Sequence, residues 1–195
     1  MQNMATPSFN DPFLLADRIQ SEGDAITASL LGALQRNLTY AEGVSEARRN
    51  EFRKRWVALL REEASFYRDS AVSDVQHCAS LRRISDNLSL EFSSYLVGGR
   101  FRLGTAQKSF NLYLKYIWRM GRTQIPPPHC PVDSIVLEAA GIDGNWTKCD
   151  SEHQYMDWVG LIRTKAHPLH IADWEYDIWL REALKRRSAS SSWST

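Results

Sequence analysis

The chain is 195 residues long, with 43% apolar and 24% charged residues and seven tryptophans, which excludes a disordered or fibrous chain and fits one soluble globular core. Lys and Arg number 24 against 23 Asp and Glu, so net charge makes no case for nucleic acid, and any such case must be local. No apolar run is long enough to cross a membrane, and the widely spaced Cys78, Cys130 and Cys149 suit thiols in a reducing, cytoplasmic setting rather than a disulfide framework.

Apolar positions recur with a helical period, and no β-branched run alternates long enough for a strand. The expected fold is all-α: a compact domain of about seven to nine helices over 13–187, between a flexible leader, 1–12, and a flexible low-complexity tail, 188–195. The leader lacks the basic and apolar regions of a signal peptide. Gly23 or Asp24 opens a first helix whose Ile26, Leu30, Leu31 and Leu34 form an apolar stripe ending near Asn37. Ser45 caps a second helix reaching about Tyr67, with Phe52, Trp56, Leu59 and Leu60 inward. A third helix spans about Val75 to Ile84, and Asn87 or Ser89 caps a separate short helix through Val97, stopped by Gly98 and Gly99.

A helix from about Thr105 to Met120 is apolar around most of its circumference, which predicts a central position. "IPPPHCP" breaks the helical pattern, because proline lacks an N–H and biases the residue before it away from helix. Pro131 starts a short helix that Gly141 ends, with Asp133 at about its third position. Ser151 and Gln154 form a capping-box pattern opening a helix through Ala166. "HPLH" then precedes a final amphipathic helix, whose Ile171, Trp174, Ile178 and Trp179 share an apolar side.

Lys108, Asn111, Lys115 and Arg119 recur at helical spacing as one polar stripe on the central helix. Such a stripe is either a solvent face or the lining of a cleft. In the second case the positive end of the helix and a wall of Phe110, Tyr113 and Trp118 would favour a neutral Lys108 amine, the nucleophilic form of lysine. Asp133 either complements its own helix dipole or serves as a carboxylate partner for that lysine. His129, Cys130, Cys149 and His153 are zinc-ligand types without the close pair of a structural site. Arg48, Arg49, Arg53, Lys54, Arg55 and Arg61 on the second helix either track phosphates or form a solvated face balanced by Glu46, Glu51, Glu62 and Glu63.

The order "RLGTAQK", "SFNLYLKYIW" and then "CPVDSIVL" resembles the helix-hairpin-helix superfamily of DNA glycosylases. Lys108 followed by Lys115 is closest to its archaeal 8-oxoguanine branch, and the resemblance covers about Leu90 to Ile142. It implies a helix-hairpin-helix-like element near Leu90–Met120, with Lys108 as the nucleophile at C1′ and Asp133 as its carboxylate partner. It also implies a flipped base held among Phe110, Tyr113, Trp118 and Trp146. DNA backbone contacts would come from Arg100, Arg102, Gly104, Thr105 and Lys115. The expected partner is DNA and the expected state a monomer, with no metal, no iron–sulfur centre and no other cofactor. The alternative expectation is a non-catalytic protein of the same frame that binds DNA or a protein partner, in repair or in defence against foreign DNA.

Overall fold

Seven α-helices account for most of the described residues: α1 (Glu22–Leu34), α2 (Glu46–Ala64), α3 (Asp74–Phe92), α4 (Leu103–Arg119), α5 (Ser134–Ala140), α6 (Glu152–Ala166) and α7 (Ile171–Ser191). The computed structural model describes residues 19–35, 37–68 and 70–191, and the side chains of 183–191 are excepted. The expected leader, 1–12, and residues 192–195 of the expected tail lie outside that set. Among the described residues there is no strand, only an isolated antiparallel bridge between Tyr40 and Leu96, and no helix is long and apolar enough to cross a membrane.

Side-chain caps set most helix starts. Ser21 and Asp24 form a reciprocal capping box at α1, as do Ser73 and Gln76 at α3. Ser45 and Ser151 accept from the third-residue amides of α2 and α6, as expected, but at Ser151 only this half of the expected capping box with Gln154 forms. Two starts differ from expectation. α1 begins at Glu22, capped by Ser21, rather than at Gly23 or Asp24, and the cap of α5 is Asp133 itself, whose Oδ1 accepts the Val136 N–H at 3.0 Å.

The expected break after Ile84 does not occur. Asn87 donates to the Arg83 carbonyl (2.7 Å) and Ser89 to the Ser85 carbonyl (2.7 Å), so both bond back one turn and leave α3 continuous to Phe92. Short 3₁₀ turns follow at Ser93–Tyr95 and Val97–Gly99, where Gly98 and Gly99 take positive φ, and lead into α4.

α4 is the axis of the molecule, with 14 of its 17 residues buried. α1, α2 and α3 pack on it, as does the Trp146–Lys148 turn, while α5, α6 and α7 pack on one another beyond the proline link. Phe52, Trp56 and Phe101 form an edge-to-face cluster beneath α4, and Trp56 Nε1 donates to Ser109 Oγ at 3.2 Å. Such ring pairs add roughly 0.5–1.5 kcal/mol each beyond the area they bury.

Gly104 lies where α4 crosses that turn. Its N–H donates to the Cys149 carbonyl at 2.8 Å, and a Cβ there would sit 1.8 Å from the Trp146 carbonyl oxygen. Only glycine permits so close a backbone approach.

Candidate active site

The polar stripe of α4 is covered from Lys108 to Lys115 and reaches the surface only at Arg119. Lys108 Nζ donates to Asp133 Oδ2 at 2.5 Å, across 25 residues of sequence. Asn111 Nδ2 donates to the Cys130 carbonyl and to Tyr155 Oη, each at 3.0 Å. Lys115 Nζ lies 2.9 and 3.0 Å from the two Glu175 carboxylate oxygens on α7. Arg119 reaches Asp173 at 3.4 Å and lies over the rings of Trp118 and Tyr176. The solvent-face reading of the stripe therefore fails at Lys108, Asn111 and Lys115, all of which are buried.

Asp133 receives Lys108 because the proline link is fastened to α4 immediately beside it. Gln107 Nε2 donates to the Val132 carbonyl at 2.6 Å, and Gln107 Oε1 accepts the Val132 N–H at 3.0 Å. Asp133 then bonds with both oxygens, one to the amide at the start of α5 and one to the lysine. Burial alone would raise its carboxyl, but the Lys108 charge and hydrogen bond, with the Val136 amide, outweigh this and hold it below its ordinary value. The side chains of Lys108 and Asp133 keep 9% and 20% exposure, so the pair reaches the surface, whereas Lys115 and Glu175 (6% and 4%) are sealed.

A second polar chain backs the link. Asp74 is gripped by both terminal nitrogens of Arg163 at 2.6 and 2.7 Å, and His129 Nε2 lies 3.0 Å from the same carboxylate. The Arg163 hydrogen bonds hold Asp74 well below the usual carboxylate range, outweighing its burial. Burial pulls His129 down to about 4, against its hydrogen bond to the Asp74 carboxylate, so the imidazole is neutral at pH 7. Tyr155, which accepts from Asn111, donates its own O–H to His129 Nδ1 at 2.8 Å, which places the ring proton on Nε2 facing Asp74. His77 stacks edge-on against His129 at 4.3 Å between centroids and bonds to the Tyr67 hydroxyl at 2.8 Å.

The other residues singled out by sequence do not gather at Lys108. Phe110 stacks on His77 in the core, and Tyr113 donates to Glu22 at 3.0 Å on a different side of α4. Trp146 packs its backbone on Gly104, and Trp118 lies beneath Arg119. Arg100 is taken by Asp86 and Asp150, and Arg102 by the Thr147 carbonyl. Thr105 accepts from Asn37 at 2.6 Å. The amides that open α4 are also engaged, Leu103 N–H with Asp150 Oδ1 at 2.9 Å and Gly104 N–H with Cys149.

The zinc-type residues are dispersed. His153 is exposed and bonds to Asp157, while His129, Cys130 and Cys149 are buried. No group of three or more His, Cys, Asp or Glu side chains placed to hold a metal ion occurs among the described residues. The described cysteines are all free thiols, and burial pushes Cys78 up to about 11.

Gln107, Tyr155, Asp74 and Arg163 were not singled out by sequence. Only Gln107 carried a local signal, as the polar neighbour of Lys108 on a mostly apolar helix. Comparison with protein-family models, with characterised proteins and with solved structures yields no match.

Proposed function

We propose that the chain is a DNA N-glycosylase with an associated lyase step, in which Lys108 is the nucleophile and Asp133 its carboxylate partner. The observation that supports this reading most is the 2.5 Å contact between Lys108 Nζ and Asp133 Oδ2 at a partly open surface. A carboxylate within hydrogen-bond reach of an amine is the arrangement that nucleophilic catalysis by lysine needs.

Asp133 takes a proton from Lys108, and the freed lone pair attacks C1′ of the target nucleotide. The C1′–N bond breaks, and its electron pair leaves with the base, which is protonated as it departs. The proton held by Asp133 goes to the base, a second proton passes from Nζ to the ring oxygen, and opening of the sugar ring gives an iminium between Nζ and C1′. Loss of a C2′ proton then expels the 3′ phosphate, cutting the strand. The substrate is an oxidised purine or a modified base of foreign DNA, presented out of the stack.

One observation favours a second reading, that of a non-catalytic protein with the same frame. Arg100, Arg102 and the first amides of α4, the groups a DNA-binding hairpin would turn toward phosphate, are occupied within the chain. Borohydride trapping separates the two. The protein is incubated with duplexes carrying 8-oxoguanine, uracil, a hydroxymethylcytosine derivative or an abasic site, then reduced. The glycosylase reading expects a covalent adduct that is lost in Lys108→Gln and slowed at least tenfold in Asp133→Asn. Absence of both adduct and base release across the panel leaves the binding protein.

A further inference from the structure

On the side of α4 where Tyr113 and Ile117 lie, a cleft of ≈ 550 Å³ opens between α1, α2 and α4. With about 100° of rotation per residue, these side chains lie roughly 140° and 180° around the helix from Lys108, so the cleft is separate from the lysine–aspartate pair. Its volume falls within the range of roughly 300–1,000 Å³ typical of small-molecule sites. Its floor is apolar, from Ala64, Ile117 and the Tyr113 ring, and its rim carries Arg61, Arg68 and Arg122.

Three arginines therefore meet one carboxylate, Glu22, in a chain whose total charges balance to within one. Several arginines elsewhere are neutralised one to one: Arg55 by Glu91, Arg83 by Glu63, Arg163 by Asp74. In the cleft, Arg61 meets Glu22 through Nε at 2.8 Å, Arg122 acts on the same carboxylate only at longer range, and Arg68 forms no ion pair with a carboxylate among the described residues. The Tyr113 hydroxyl also spends its hydrogen on Glu22, at 3.0 Å. Glu22 thus stands where a stronger anion would compete for the same donors.

We infer that this cleft binds a phosphoryl group. Guanidinium forks match the oxygens of phosphate, and the excess of two positive charges among the described lining residues suits a phosphoryl dianion better than a single carboxylate. The apolar floor accommodates the body of a phosphorylated compound. The same chemistry is offered by a free phosphorylated metabolite and by the backbone of a nucleic acid.

The test is calorimetric titration of the full chain with inorganic pyrophosphate at low salt. Saturable binding is expected, weakened at least tenfold in Arg68→Gln/Arg122→Gln, whose altered positions are exposed and whose circular dichroism spectrum is expected to match the parent. Glu22→Gln, which frees Arg61 and Tyr113, is expected to tighten binding several-fold. Displacement of pyrophosphate by a 12-base-pair duplex identifies backbone phosphate as the occupant, and persistence of binding in its presence identifies a free phosphorylated compound. No saturable binding, or equal affinity in the double variant, overturns the inference. The two tests read different residues, Arg68 and Arg122 here and Lys108 in the borohydride trap, so failure of one is distinguishable from failure of the other.

Discussion

At Gly104 a single missing methyl group decides how α4 meets the rest of the fold. An alanine Cβ would lie 1.8 Å from the Trp146 carbonyl oxygen, and backbone atoms on both sides have no rotamer by which to yield. Gly104→Ala is expected to cost about 3 kcal/mol or more, the upper end of overpacking effects, read as a fall in the urea midpoint. The family resemblance implied contact of this glycine with DNA, yet its N–H is spent on Cys149. Lys108 and Asp133 were legible because both stand at pattern boundaries, one on a polar stripe and one after a proline run. The tasks of Gln107 and Tyr155 were not, since their partners, Val132, Asn111 and His129, lie 25 to 44 residues away and leave no local trace.

The packing of α7 over α4 rests on a sealed ion pair, Lys115 with Glu175, and the Trp179 ring lies 5.8 Å from the same ammonium. Removing one partner strands the other charge in a low-dielectric setting. Lys115→Met is expected to lose about 3–5 kcal/mol, and Lys115→Met with Glu175→Leu to return to within about 1 kcal/mol of the parent, since apolar pairs replace buried ion pairs at little cost. Urea denaturation of the three proteins checks this. Helical periodicity located α2, α4 and α6 within a few residues but divided α3 in two. Asn87 and Ser89 are strong capping types, and whether such residues cap or bond back one turn depends on neighbours that packing supplies.

The whole molecule carries two buried imidazoles, His77 and His129, and both are held below their ordinary value chiefly by burial, His129 at about 4. The unfolded chain takes up protons on these groups near pH 6.5, whereas the folded chain resists until far lower pH. Stability is therefore full above about pH 6.5 and is lost as pH falls toward the folded values. His129 alone accounts for about 2 kcal/mol between pH 7 and pH 5, so His129→Gln is expected to flatten that part of the stability profile. An equally steep decline in the variant would assign the acid sensitivity to other groups. The all-helical class was legible from periodicity alone. The division of polar residues between a buried seam and an arginine-rimmed cleft was not, because nearly neutral total charge conceals local imbalance.

Gln107 and Val132 each stand one residue before a member of the lysine–aspartate pair, and their two reciprocal hydrogen bonds imitate the pairing of neighbouring strands. The glutamine side chain serves as a surrogate peptide group, giving an extended segment the partner that a sheet would otherwise provide. Register between Lys108 and Asp133 is thus fixed at the point of use. The proline link between them has its own ties, Asn111 to the Cys130 carbonyl and Arg163 to the Pro128 carbonyl, but only the glutamine stands beside both charges.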